Sequence, residues 1–259
     1  MRLLLTNCNT TATMTDVMLE QARAAAAPGT IVTGLTPAWG PASCEGWMDS
    51  FISATAVLDA VLAYQGDGNT FDALIMAGFG EHGRQAAREV LEVPVVDITE
   101  AAAQLALLIG EKYAIVTSLT RTIPLIEDSL RSSGIFERCS TVEAVDLPVL
   151  DLERDEDATV AAFMTPARRA LDGGADVLIL GCAGMSYLQT RLSAELGVPV
   201  VDGVAAAVVL AEGLARLGLA TSSRNSYAAP LPKARPGWPV GSALGRRPIV
   251  HTPTSPHHG

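Results

Sequence analysis

The sequence predicts an α/β fold built from two similar lobes, each with a parallel β-sheet. The first observation is that short apolar segments alternate with helices of ten or more residues, the pattern of parallel strands joined by crossover helices. The second is an internal repeat, in which residues 71–80 align without a gap on residues 175–184. A second short strand and an Ala-rich helix follow each copy. The repeat predicts two pseudo-symmetric, flavodoxin-like lobes with an active-site cleft between them.

The elements of the first half follow from their apolar pattern. Buried parallel strands are short apolar runs, whereas helices carry an apolar stripe. Strands are predicted at residues 3–5, 31–35, 71 to the strand end at 78, and 93–97, and helices at 16–27, 47–64 and 100–110. Thr13 or Thr15 is expected to cap the first helix, because a hydroxyl can accept from the unpaired first-turn amides.

The second half repeats this order. Strands are predicted at residues 113–117, 140–146, 175 to the strand end at 182, and 198–202, and helices at 123–133, 158–173 and 203–218. Gly134 is expected to end its helix in a left-handed conformation. Asp97 and Asp202 end corresponding strands, and structural capping of the following helices is the favoured interpretation of both.

The domain prediction assigns residues 1–98 plus about 206–223 to the first lobe and residues 99–205 to the second. From residue 224 to 259 Pro recurs among scattered Gly and Ser, which predicts no packed element. This segment is expected to be either an arm lying on a neighbouring subunit or a disordered tail. Its three histidines are expected to be solvated rather than metal ligands: His251, His257 and His258.

The composition limits the classes of function. Hydrophobic residues make up 49% of the 259-residue chain and aromatic residues only 5%, typical of a core of Ala, Val and Leu. The net charge of −10 argues against nucleic acid or an anionic membrane as a partner. The four cysteines have no CxxC spacing, so no metal site is predicted. No signal peptide or membrane span is recognised, and a cytoplasmic protein is expected.

One cysteine marks the position where chemistry is expected. Cys182 follows a buried strand and precedes two small residues, at the strand edge where such sheets bind ligands. The repeat places Gly78 at the corresponding position, so the two copies offer one thiol and one gap. His82 could replace the missing thiol as a proton carrier, although a loop histidine is more often solvated. Cys8 is the other candidate, because it also follows a strand.

Polar residues gather at the other strand ends. Asn7, Asn9 and Thr10 could donate to a substrate carbonyl or carboxylate, or they could simply cap the following helix. Thr117 and Ser118 present the same two alternatives. Arg121 could pair with an anion or be an ordinary surface charge.

These motifs together resemble the Asp/Glu/hydantoin racemase superfamily, most closely its hydantoin and allantoin racemase branch. The resemblance covers most of residues 1–233. Its motifs are Asn-x-Asn-Thr-Thr at 7–11, Gly-Pro-Ala-Ser at 40–43, Thr-Ser-Leu-Thr-Arg-Thr at 117–122, Asp-Leu-Pro at 146–148, Leu-Gly-Cys-Ala-Gly-Met at 180–185 and Asp-Gly-Val-Ala at 202–205. Cys8 stands where the branch usually has Pro.

The resemblance implies cofactor-independent racemisation of a small molecule by two cysteines on opposite faces of a Cα, in a homo-oligomer. Cys182 matches the second cysteine. Gly78 falls where the family has the first, in Ala-Gly-Phe-Gly-Glu instead of the usual Ala-Cys-Phe-Gly-Asp. The residues expected to bind substrate are Asn7, Asn9, Thr10, Ser43, Phe79, Gly80, Thr117, Ser118, Arg121, Ala183 and Gly184.

Three functions remain open at this point. The chain could be a racemase of 5-substituted hydantoins, allantoin or similar cyclic ureides in which the first cysteine has been replaced. It could use Cys182 alone to protonate an enediolate, as the resemblance to the Gly/Cys pattern of arylmalonate decarboxylases suggests. It could also be a homologue that binds its ligand without reaction. With Arg121 as the one plausible cation, the loops suit a neutral cyclic ureide better than a dicarboxylate.

Overall fold

Two parallel sheets, one from each half of the chain, carry the structure. The computed structural model describes residues 1–152, 154–243 and 245–253. The first half contains β1 (Arg2–Asn7), α1 (Ala12–Ala25), β2 (Ile31–Thr36), α2 (Trp47–Gly66), β3 (Ala73–Ala77), α3 (Arg84–Val90) and β4 (Val95–Asp97). None of the described helices is both long and apolar enough to span a bilayer.

The second half continues the alternation of strands and helices. It contains α4 (Ile98–Ile109), β5 (Tyr113–Thr117), α5 (Ile123–Ser132), β6 (Cys139–Ala144), α6 (Glu156–Asp172), β7 (Val177–Leu180), α7 (Gln189–Leu196), β8 (Val200–Val201) and α8 (Gly203–Arg216). Two short elements follow, α9 (Val240–Ala243) and β9 (Ile249–His251). Single turns of 3-10 helix lie at residues 120–122, 136–138, 149–151 and 225–227, with a longer one at 183–188.

The sheet topology confirms the predicted α/β fold and its internal symmetry. The first sheet has the order β4-β3-β1-β2-β9 and the second β6-β5-β7-β8. The four strands β4-β3-β1-β2 therefore correspond to β8-β7-β5-β6. All of these strands pair in parallel, whereas β9 pairs antiparallel with β2. Every residue of β3, β5 and β7 is buried, as continuous apolar strands between two helical layers require.

Helix α8 packs beside the first sheet although it follows the last strand of the second. Its apolar face contacts α1, α4 and β3. Val204, Ala207, Val208 and Ala211 are fully buried in this contact. The division of the chain into a first lobe of residues 1–98 plus about 206–223 and a second lobe of residues 99–205 remains a prediction.

Several local expectations need correction. Helix α1 begins at Ala12, so Thr13 and Thr15 lie inside it and neither caps it. Thr15 is instead buried, where its hydroxyl hydrogen-bonds Thr36 at 2.6 Å. Helices α3 and α7 were not predicted, since they are only seven and eight residues long. The left-handed Gly134 is confirmed, with a φ of 71°.

The capping role of the two repeated aspartates is confirmed. Asp97 accepts from the amides of Thr99 and Glu100 at the start of α4. Asp202 accepts from the amide of Ala205 at the start of α8. Each cap supplies an acceptor to first-turn donors that would otherwise be unpaired inside the protein.

The described part of the Pro-rich segment contacts its own chain and contains a strand, contrary to the prediction of no packed element. Residues 249–251 form β9 between two prolines, so the pairing needs no proline amide. The amide of Gly241 donates to the buried Asp59. His251 is not solvated, because its ring lies 2.8 Å from Asp16 and 3.0 Å from the hydroxyl of Thr36. His257 and His258 lie outside the described residues.

An unpredicted group of buried charges joins the two halves. The Arg84 side chain is fully buried, with its guanidinium 3.5 Å from Asp97 and 3.6 Å from Glu100. It also donates to the hydroxyls of Ser129 and Ser132 on α5. Burial raises the pKa of the Asp97 carboxyl to about 7, against the lowering effect of Arg84.

Candidate active site

A small, partly enclosed cavity lies where the carboxyl ends of four strands meet. Its wall includes residues that end or follow β1, β3, β5 and β7, two strands from each sheet. Ligands of parallel sheets bind at this kind of edge, because strands stop there and helices begin. The described lining residues include three thiols, one histidine, five amide or hydroxyl side chains and no Lys, Arg, Asp or Glu.

Cys182 lines the cavity from the second sheet. It follows the fully buried β7, is itself half-buried, and directly precedes the 3-10 helix Ala183–Leu188. Ser186 on that helix hydrogen-bonds the carboxylate of Asp202, the residue that caps α8. The chain after Cys182 is therefore held against the first turn of α8, which fixes where the thiol can lie.

Gly78 lines the same cavity from the first sheet and has no room for a side chain. A Cβ at this position would lie 2.6 Å from the Cβ of Cys8 and 2.9 Å from its Sγ, and would also collide with the His82 ring. Real Cβ atoms do not approach other atoms this closely. The following loop is held by Thr99, whose hydroxyl bonds both the amide and the carbonyl of Gly80.

Cys8 fills the space that a side chain at Gly78 would take. The register of the sheet explains this, since Asn7 pairs with Ala77 and the next residues are Cys8 and Gly78. The thiol of Cys8 lines the cavity and is half-buried. Burial raises its pKa well above the ordinary value, and the nearby Cys44 and Cys182 raise it further.

His82 is buried beside Gly78, so the expectation of a solvated loop histidine is wrong. Its Nε2 lies 3.2 Å from the carbonyl oxygen of Phe79, and its Nδ1 lies 3.1 Å from the hydroxyl of Ser50 and 3.6 Å from the Cys44 sulfur. Burial lowers the pKa of the imidazole, which favours its neutral form.

The hydrogen bonds around His82 favour one neutral tautomer. Ser50 uses its only proton on the carbonyl of Glu81 at 2.7 Å. The Phe79 carbonyl can only accept, so the proton of His82 belongs on Nε2. The nearby Cys44 thiol can then donate to Nδ1.

Asn7 and Asn9 build a rigid polar turn after β1. The side-chain nitrogen of Asn7 shares its two protons among the Asn9 side-chain oxygen, the Thr11 carbonyl and the Thr15 hydroxyl, and the Asn7 side-chain oxygen accepts from the backbone amide of Asn9. The Asn9 oxygen in turn accepts from the amide of Thr11. Both asparagines are buried and line the cavity, so they hold the turn and also border the ligand space.

On the side of the second sheet, the predicted residues Thr117 and Ser118 line the cavity. Thr122 lines it as well. The Thr117 hydroxyl donates to the carbonyl of Gly181, the residue before Cys182, at 3.0 Å. This bond ties the ends of β5 and β7 together.

Part of the predicted substrate-binding set lies away from the cavity wall. Phe79 and Ala183 line the cavity, whereas Thr10, Ser43, Gly80, Arg121 and Gly184 do not. Arg121 is exposed, and its guanidinium lies against Gly46. Thr10 and Ser43 hydrogen-bond within the neighbouring loops, to Pro41 and Glu45.

Cys44, Met14, Met18 and Val149 line the cavity but were not predicted. The two methionines come from α1, whose apolar spacing is equally typical of an ordinary core face. Val149 is brought to the wall by Glu45, which accepts from its amide at 3.2 Å. Such contacts between distant loops leave no local sequence signal.

Comparison with known proteins finds consistent relatives. Residues 3–211 match the family model described as Asp/Glu/Hydantoin racemase. A hydantoin racemase from Rhizobium meliloti is 41% identical over 241 residues, which are 93% of this chain and 99% of that protein.

Two solved structures are similar in sequence and in fold. The allantoin racemase of Pseudomonas fluorescens has 50% identity and a TM-score of 0.88, covering 91% of this chain and 99% of that one. The allantoin racemase of Klebsiella pneumoniae has 39% identity and a TM-score of 0.86, covering 92% and 96%.

Proposed function

From the premise that this chain belongs to the Asp/Glu/hydantoin racemase family and is a racemase-type isomerase, we propose that it racemises a small cyclic ureide. The substrate class is a 5-substituted hydantoin, allantoin or a close analogue, and the reaction is proton transfer at the ring Cα. Cys182 acts as one acid/base. The proposal needs no cofactor, because two proton transfers complete the reaction.

The observation that carries the substrate class is the chemistry of the cavity wall. Its described side chains offer amides, hydroxyls and thiols and include no charged Lys, Arg, Asp or Glu. A substrate carboxylate buried there would lack a cation to compensate its desolvation, whereas a neutral ureide needs only hydrogen bonds. We assign these hydrogen bonds to Asn9, Thr117 and Ser118, whose polar side chains belong to the cavity wall.

The site also favours the enolate that forms when Cα loses its proton. Met14 in the first turn of α1 lines the cavity, so the positive end of this helix borders it. The 3-10 helix Ala183–Leu188 begins directly after Cys182, and its first residue also lines the cavity, so a second helix start borders the site. Donors fixed before the reaction stabilise a developing oxyanion without reorganisation.

The proposal includes a homo-oligomer and the two-lobe division given by the sequence. Trp47, Met48 and Phe51 on α2 are exposed and apolar, which supports an interface between copies of the chain.

The test uses enantiopure allantoin and 5-substituted hydantoins in heavy water. We expect loss of optical rotation and replacement of the Cα proton by deuterium, read by NMR. The Cys182→Ala variant should racemise about 10²–10⁴-fold more slowly, the usual contribution of an acid/base group. If the wild-type protein neither inverts nor exchanges any of these ureides, the proposal is wrong. CO₂ released from an arylmalonate would instead support the single-cysteine alternative.

A further inference from the structure

Inversion at a carbon requires a proton carrier on each of its faces, and Cys182 can serve only one of them. Resting on the proposed function, we propose that Cys8 is the second proton carrier, a catalytic residue that occupies the place of the side chain absent at Gly78.

The position of Cys8 supports this role. Its Sγ lies 2.9 Å from where the Cβ of a side chain at Gly78 would stand, and its own Cβ lies 2.6 Å from that point. Cys8 therefore presents a thiol to the part of the wall that residue 78 would otherwise supply. Cys8 follows β1 of the first sheet and Cys182 follows β7 of the second, so the two thiols reach one cavity from different lobes.

The other candidate proton carriers are engaged elsewhere. The Nε2 proton of His82 faces the Phe79 carbonyl, and its Nδ1 is the acceptor for Cys44 at 3.6 Å. Moving a proton from either residue to a substrate would break this buried arrangement. The pKa of Cys8 is raised first by burial and then by the nearby Cys44 and Cys182, so Cys182 lies close enough to affect its protonation.

The proton transfers balance over one inversion. The Cys182 thiolate forms an S–H bond with the Cα proton, and the C–H electron pair moves into the ring carbonyl as an enolate. The enolate carbon then takes the proton of the Cys8 thiol on its other face, which leaves a Cys8 thiolate. The opposite enantiomer reacts in reverse, from the Cys8 thiolate to the Cys182 thiol. Burial raises the pKa of the Cys8 thiol, which favours the protonated form that donates in the first of these directions.

The experiment measures inversion and deuterium exchange for each enantiomer separately. Cys8→Ala should invert either enantiomer at least about 10²-fold more slowly. It should still exchange the Cα proton of the enantiomer whose proton faces Cys182, because that thiol can remove and return a proton on one face. Cys182→Ala should show the reciprocal pattern. The retained one-sided exchange also demonstrates that each variant is folded.

Two further variants keep the test decisive. If Cys8→Ala does not fold, Cys8→Ser carries the same expectation, because serine keeps the size but is too weak an acid. Cys139→Ser is the matched control at a half-buried cysteine on β6 and should retain the wild-type rate.

Wild-type inversion rates in both Cys8 variants would overturn the inference and leave the proposed function intact. The inference would also be overturned if Cys44→Ala or His82→Gln, instead of Cys8→Ala, lost inversion while keeping exchange of the enantiomer whose proton faces Cys182. A wild-type protein that exchanges one enantiomer without inverting it would overturn both the inference and the proposed racemisation. A wild-type protein that neither exchanges nor inverts any ureide would mean that the proposed function itself has failed.

Discussion

The neighbours of position 78 explain why no side chain fits there. No positive φ requires glycine there; the requirement is space, because Cys8 and His82 occupy the place of a Cβ. A simple return to cysteine at this position therefore meets a filled site. The sequence repeat identifies the asymmetry, but only the sheet register shows what fills the gap.

We expect Gly78→Ala to lower the free energy of unfolding by about 1–3 kcal/mol, the usual cost of overpacking. Gly213→Ala is the matched control, since nothing lies within 4 Å of its added Cβ and the residue is in helix α8. That change should be neutral or stabilise by up to about 1 kcal/mol. Urea denaturation measures both. Equal effects of the two changes would show that position 78 has spare room.

His82 gives stability a pH dependence of known sign. Burial lowers its pKa in the folded protein, so the unfolded chain takes up the proton first as the pH falls. The stability that the neutral ring contributes is complete above the unfolded pKa of about 6.5 and is lost as the pH falls through the folded pKa. The difference in unfolding free energy between wild type and His82→Gln should shrink from pH 7.5 to pH 5. A difference independent of pH would contradict the burial of a neutral ring.

At the scale of elements, the contact between α3, α4 and α5 depends on charge as well as on apolar packing. Arg84 on α3 is fully buried against Asp97 and Glu100 and reaches Ser129 on α5. Removing one partner of such a group leaves the other charges buried without compensation.

Arg84→Ala should therefore cost about 3–5 kcal/mol of unfolding free energy. Arg138→Ala is the control, because its pair with Glu111 is exposed and should contribute about 0–1 kcal/mol. Thermal and urea unfolding of both variants test this. A small cost at Arg84 would mean that the buried carboxyls take up protons when the guanidinium is removed.

Elements differ in how far the sequence predicts them. The strands β1, β5 and β7 and the caps Asp97 and Asp202 follow from local apolar runs and from capping chemistry. Strand β9 and the buried Arg84 depend on contacts with residues far along the chain, and local pattern carries no information about them. In the site, the strand ends after β1, β3, β5 and β7 were predictable. Cys44 and the tautomer of His82 were not, because both depend on packing between loops.

At the scale of the whole molecule, the two sheets place one thiol from each lobe at a shared cavity. Cys8 follows a strand of the first sheet and Cys182 follows a strand of the second, so neither lobe alone supplies both thiols. The site therefore requires that the lobes keep a fixed relative position, which α8 supports by packing on α1 and α4.

The proposed homo-oligomer gives a direct expectation for the molecule in solution. Light scattering coupled to size-exclusion chromatography should give a mass that is a multiple of 27.0 kDa. Met48→Lys on the exposed face of α2 should shift it toward one copy, because a buried charge opposes apolar association. A single-copy mass for the wild type would contradict the proposal.

Strand β9 has a consequence for solubility. Without it, the half of β2 from Gly34 to Thr36 would be an open sheet edge with unpaired amides and carbonyls. Such an edge is a template on which strands of other molecules can add and aggregate. By pairing antiparallel with β2, residues 249–251 cover this edge. A protein shortened before β9 would therefore be prone to precipitate even with an intact active site.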